Sequence, residues 1–109
     1  MGLLEKGSYA PVSVQWPLLY AENDFVGKGT LLMVSDVQCV VAGTMPVVKG
    51  MLLKLWISPT GRNDALCVSA ARVVGGRENQ FAVELLQLDA YDHEWLRRFV
   101  QKYGHSSVS

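Results

Sequence analysis

The chain has 109 residues, half of them apolar, which is enough for one domain with a real core and too few for two. Ten basic residues balance ten acidic ones, so the formal net charge is zero. That speaks against binding a nucleic-acid polymer, which calls for a basic excess or stripe.

No run approaches the roughly 18 apolar residues of a membrane span. The opening "MGLLEKGSYAP" has no apolar core long enough for a signal peptide, so the expected compartment is the cytoplasm. Cys39 and Cys67 stand in neither CxxC nor CxxxxH spacing. Two reduced, buried thiols are expected; the alternative, one structural disulfide, needs an oxidising compartment.

In chain order, residues 1–7 read as a flexible lead-in. "VSVQWPLLY" (12–20) alternates, with Val12, Val14, Trp16, Leu18 and Tyr20 on one face of a predicted strand. Pro17 lacks an amide hydrogen, so this strand should lie at an edge or carry a bulge. "AENDFVGKG" reads as a turn with Asn23-Asp24 at its tip. "TLLMVS" and "CVVAG" are the next two strands, around the polar middle Ser35, Asp36 and Gln38. That middle reads as ordinary turn polarity.

"TMPVVKG" is a connection ended by Gly50. "MLLKLWIS" alternates again, with Met51, Leu53, Leu55 and Ile57 on one side and Leu52, Lys54, Trp56 and Ser58 on the other. "PTGRND" is a turn. "ALCVSAARVV" and "QFAVELLQ" are two more strands, joined through Gly75, Gly76 and Arg77.

The period then changes. Tyr91, Trp95, Leu96, Phe99, Val100 and Tyr103 fall on one helical stripe. Asp89 suits the N-cap, Asp92 and Glu94 the first turn, Arg97, Arg98 and Lys102 the later turns, and Gly104 the C′ position. Residues 104–109 read as a disordered tail. Six short strands followed by one amphipathic helix predict a mainly β fold: a small antiparallel barrel with the helix over one opening or side.

Catalytic patterns are weak. Asp89 and His93 have the i,i+4 spacing of metal ligands, but two ligands do not make a site, and capping explains the same residues. "GKGT" (27–30) lacks the first glycine and spacer of a phosphate loop. No GxSxG and no supported Cys/His pair is present. Asp92 and Glu94, the remaining paired carboxylates, belong on a solvated helix face. No enzyme activity, metal or cofactor is expected.

The landmarks "KGSYAPVSVQWPLLY", "FVGKGTLLMVS", "CVVAGTMPVVKGMLLKLWI", "ARVVGGRENQFAVEL" and "HEWLRRFV" together resemble a PilZ domain over roughly residues 5–103. The resemblance implies a bacterial six-stranded barrel with a C-terminal helix, here assigned to residues 8–103. Many members of that family are receptors for cyclic-di-GMP. They bind through RxxxR before the first strand and [D/N]xSxxG in the following hairpin. Paired guanidinium groups there grip phosphates and stack on guanine.

Aligned on "SYAPVSVQWP", RxxxR falls on Gly7 and Pro11, so both guanidinium groups are missing. Lys6 is adjacent, but a lysine makes neither bidentate nor stacking contacts. Aligned on "GKGT", [D/N]xSxxG falls on "MVSDVQ": Met33 replaces the acid or amide, Ser35 is kept, and Gln38 replaces the glycine. A rival register starting at Asp36 loses both the serine and the glycine.

The resemblance therefore implies a degenerate site at Gly7, Pro11, Met33, Ser35 and Gln38, in an adaptor that binds another protein. The alternative is a cyclic-di-GMP receptor with an atypical site using Lys6, Ser35 and Arg62 or Arg77. Trp56 is the candidate partner contact. The helix or the N-terminal segment is expected to cover it; left uncovered, it would anchor a homodimer or a partner.

Overall fold

A computed structural model describes residues 10–77 and 79–104. Six strands are followed by one helix: β1 (Val12–Glu22), β2 (Phe25–Val34), β3 (Gln38–Gly43), β4 (Leu52–Ile57), β5 (Leu66–Arg77), β6 (Gln80–Leu88) and α1 (Ala90–Tyr103). The strands close into an antiparallel barrel in the order β1-β2-β3-β6-β5-β4. The expected fold class is the observed one. No helix among the described residues is long and apolar enough to cross a membrane.

Alternation explains the core. Trp16, Leu18 and Tyr20 of β1, Leu53, Leu55 and Ile57 of β4, and Leu66, Val68, Ala71 and Val73 of β5 point inward and are buried. Closure leaves Pro17 no edge to occupy; the register of β1 against β2 instead shifts between Ser13 and Trp16, just before it. Pro17 then sits opposite Thr30, and its carbonyl accepts from Ser58 N at 2.9 Å.

Two segments expected to be turns are strand. β2 begins at Phe25, because only Asn23 and Asp24 are needed to reverse the chain between Glu22 and Phe25. The "GKG" glycines lie inside β2 and make room in the barrel. A Cβ on Gly27 would stand 2.6 Å from the Tyr20 ring, and one on Gly43 would also strike that ring. Tyr20 is fully buried, and its hydroxyl exchanges hydrogen bonds with Met45 N and O, each at 2.8 Å. Likewise Gly75, Gly76 and Arg77 extend β5, and the chain turns back between Arg77 and its partner Gln80.

The register sorts the loops onto two ends. Val12 pairs with Val34, Gln38 with Glu84, and Ile57 with Leu66, so the β2–β3 turn and the β4–β5 loop share one end with α1. The β1–β2, β3–β4 and β5–β6 connections form the other.

Helix α1 closes the first end. Asp89 caps it by accepting from Tyr91 N at 3.0 Å. Leu96 and Val100 are buried, while Trp95 and Phe99 bracket Trp16 with ring centroids 6.1 and 4.9 Å away. Tyr91 and Tyr103, expected on the docked stripe, are exposed, because they sit at its margins. Gly104, expected in the tail, is buried. Its φ of −98° needs no glycine, but a Cβ there would collide with the Ala10 carbonyl. The lead-in 1–7 and the rest of the tail lie outside the described residues.

Candidate functional site

The β2–β3 turn is the place to look for a ligand, and its polar residues are not ordinary turn polarity. Ser35 is 0%, Gln38 4% and Asp36 9% exposed. Ser35 N donates to Gln38 O at 2.8 Å, and its Oγ accepts from Gln38 N at 3.0 Å and Val37 N at 3.2 Å. The serine hydroxyl thus takes over backbone donors that the reversal leaves unpaired. Leu85 N donates to Val37 O at 2.8 Å, which ties the turn to β6. The turn is held against the barrel because β6 pairs beside it.

Gln38 begins β3, opposite Glu84, with its side chain buried. It fills space that a glycine would leave open. Met33 stands at a register shift of β2 against β3, between Leu31 and Met33, and is partly buried opposite Ser13 and Val40. Pro11 precedes Val12, whose partner is Val34, so Pro11, Met33, Ser35 and Gln38 do share one end of the barrel. Lys6 and Gly7 lie outside the described residues.

Among the described residues no basic side chain forms a hydrogen bond or ion pair with this cluster. Arg77 ends β5 at the opposite end of the barrel. Arg62 is on the correct end but is engaged elsewhere. Its Nη2 lies 2.5 Å from Asp92 Oδ1, and its guanidinium carbon lies 5.1 Å from the Trp95 ring centroid and 5.8 Å from that of Tyr91. What the turn does carry is the Asp36 carboxylate, whose Oδ1 has no hydrogen-bond partner among the described residues; neither has Gln38 Oε1. Two buried acceptors and a negative charge suit a dianionic phosphodiester poorly.

Asp92 was expected on a solvated face and is buried instead. Its second oxygen accepts from Cys67 N at 3.3 Å, so it joins the β4–β5 loop and the start of β5 to the helix. The pairing joins residues thirty positions apart, and no spacing rule announces it.

Of the two thiols, Cys39 is buried as expected, and burial pushes its pKa up to about 12. Cys67 is exposed, because it points outward between inward-facing Leu66 and Val68. No group of three or more His, Cys, Asp or Glu side chains arranged to hold a metal occurs among the described residues.

Trp56 lies on the outer face of β4. The helix plugs the end of the barrel rather than wrapping its side, and Trp56 remains 37% exposed. It pairs across strands with Leu19 on one side and Cys67 on the other. Leu19 and Val26, both exposed, extend the same apolar face. Sequence reasoning missed these two neighbours. The doublet Leu18-Leu19 was the available signal, since apolar residues of both parities mark a strand with two apolar faces.

No family model matches the sequence, and no curated protein does. Among solved structures, the chain is similar to the Bacillus subtilis inhibitor of motility (MotI/DgrA), with a TM-score of 0.72 and 13% identity. The match covers 91% of this chain and 51% of that one. The fold is PilZ-like. The chain spans about half the length of the structure it matches, so the likeness concerns this PilZ-like barrel alone. Within it, the position of the β2–β3 turn beside the start of β1 is what lets the signature residues be compared one by one.

Proposed function

We propose that this chain is a non-enzymatic bacterial signalling module of the PilZ type, which works by binding another protein and has lost cyclic-di-GMP binding. The observation that carries the reading is the state of the β2–β3 turn. Ser35 is committed to its own backbone, Gln38 fills the glycine position with a buried side chain, and Asp36 contributes a negative charge. Arg62, which lies at the same end of the barrel, is held by Asp92. A site for a dianion needs forked donors where this chain has Gly7 and Pro11.

The setting follows by likeness only. MotI/DgrA is an inhibitor of motility, and control of a motility, pilus or envelope system is the role we assign here. Such an adaptor requires neither catalytic group nor cofactor. The test has two arms. Affinity capture from the native cell is expected to recover a specific protein. A calorimetric titration with cyclic-di-GMP is expected to show no saturable binding at micromolar concentrations. Saturable binding would instead favour a receptor with an atypical site.

A further inference from the structure

We infer that the outer face around Trp56 is the docking surface of this module, and that its occupant is an acidic, apolar peptide segment of a partner protein. The inference rests on the proposed adaptor role and adds the place and the chemistry of the contact.

The face is built by cross-strand neighbours. One row runs Lys28, Leu19, Trp56 and Cys67 across β2, β1, β4 and β5. The next row holds Val26, Ala21 and Lys54. Trp56 forms the ridge between two shallow grooves. One, of about 760 Å³, is lined by Pro17, Leu19, Val26, Ala65 and Trp56, with Lys28 as its one charged residue. The other, of about 710 Å³, contains Lys54, Leu52 and Trp56, with Glu22 as the one acid lining either groove. Val26 at 64% and Leu52 at 54% exposure are unusually open for apolar side chains within strands. A contiguous apolar patch of this kind marks a contact surface.

Charge selects the occupant. Arg62, Arg72, Arg97 and Arg98 form ion pairs; Lys28 and Lys54, like Lys49, Arg77 and Lys102 elsewhere, form none with any described residue, and they are the basic residues that line these two grooves. Lys28 lies beside Leu19 in one row and Lys54 two residues from Trp56 along β4, so strand spacing and rise set their backbones about 12 Å apart. A segment with apolar side chains in the grooves and Asp or Glu at its flanks would meet both lysines. A second copy of this chain would bring its own Lys28 and Lys54 to the same strip, which juxtaposes like charges. Addition of a strand is also closed off, because the barrel has no free edge.

The probe is a random peptide display library selected on the immobilised full chain, with the Trp56→Ala chain as counter-selection. Expected are enriched peptides that combine bulky apolar residues with an excess of Asp and Glu. The selected peptide should shield the Cys67 thiol from alkylation, and raising salt should weaken its binding. Lys28→Glu with Lys54→Glu, both exposed and harmless to the fold, should weaken it at least tenfold. Selection without acidic excess, equal selection on Trp56→Ala, no enrichment, or indifference to the lysine reversals overturns the proposal. So does a Trp56-dependent dimer in sedimentation, or binding to anionic phospholipid vesicles in place of peptide. If a natural partner is captured equally well by the lysine-reversed chain, the adaptor role stands and this surface fails. If cyclic-di-GMP binds, the adaptor reading fails irrespective of the peptide result.

Discussion

Arg62 Nη2 donates to Asp92 Oδ1 at 2.5 Å, and this contact fastens the β4–β5 loop to the first turn of α1. Both side chains are about nine-tenths buried. The guanidinium carbon lies over the Trp95 and Tyr91 rings, and Cys67 N donates to the second carboxylate oxygen. The arginine that could have served a phosphate is thereby a structural bolt.

Removing one partner of such a pair strands a buried charge. Asp92→Ala is expected to destabilise the domain by about 3–5 kcal/mol. In a double-mutant cycle with Arg62→Met, the pair should show a coupling of about 0.5–3 kcal/mol. Urea unfolding of the four chains measures both. Additive effects would mean that the pair is incidental.

Tyr20 and its two glycines act as one packing unit. Gly27→Ala puts a methyl 2.6 Å from the Tyr20 ring and should cost about 1–3 kcal/mol through overpacking. Tyr20→Phe leaves Met45 N and O without their partner and should cost about 1–3 kcal/mol. Thermal and denaturant unfolding check both values.

The thiols should differ in reactivity. Cys67 is exposed and should alkylate in the folded chain, while Cys39 should react only after unfolding. Cys39 also contributes a pH dependence. Its folded pKa is about 12, above the unfolded value, so its stabilising effect is full below about pH 8.5 and declines as pH rises toward 12. Cys39→Ala should flatten the alkaline limb of the stability curve.

How much of this the residues announce depends on the range of the interaction. Strict alternation in "MLLKLWIS" and "VSVQWPLLY" gave the inward faces of β4 and β1, and the shift to helical spacing gave α1. Those signals are local. The "GKG" segment misled because Gly27 makes room for Tyr20 and Gly29 for the Ala42 carbonyl, partners on other strands, rather than for a turn. The burial of Ser35, Asp36 and Gln38 depends on β6 lying beside the turn, which no window around residue 36 contains. Asp92 reads as a helix first-turn acid until Arg62 is placed opposite it. The departures from the signature that the resemblance implies are read from the residues alone; the fold adds that Ser35 is engaged within its own turn.

Restoring the missing groups should restore the site if the backbone there is intact. Gly7→Arg, Pro11→Arg, Met33→Asn and Gln38→Gly together supply the forked donors and reopen the space that Gln38 fills. Measurable cyclic-di-GMP binding is expected in the folded quadruple variant. An inert, folded variant would mean that the register of the signature is different or that the turn has changed shape.

The most direct measurement is isothermal titration of the unaltered full chain with cyclic-di-GMP. On the proposed reading, with Gly7 and Pro11 where paired arginines would be needed and with Gln38 and Asp36 buried in the turn, no saturable heat is expected at micromolar concentrations. A saturable isotherm with a micromolar or tighter Kd would contradict the loss of the ligand.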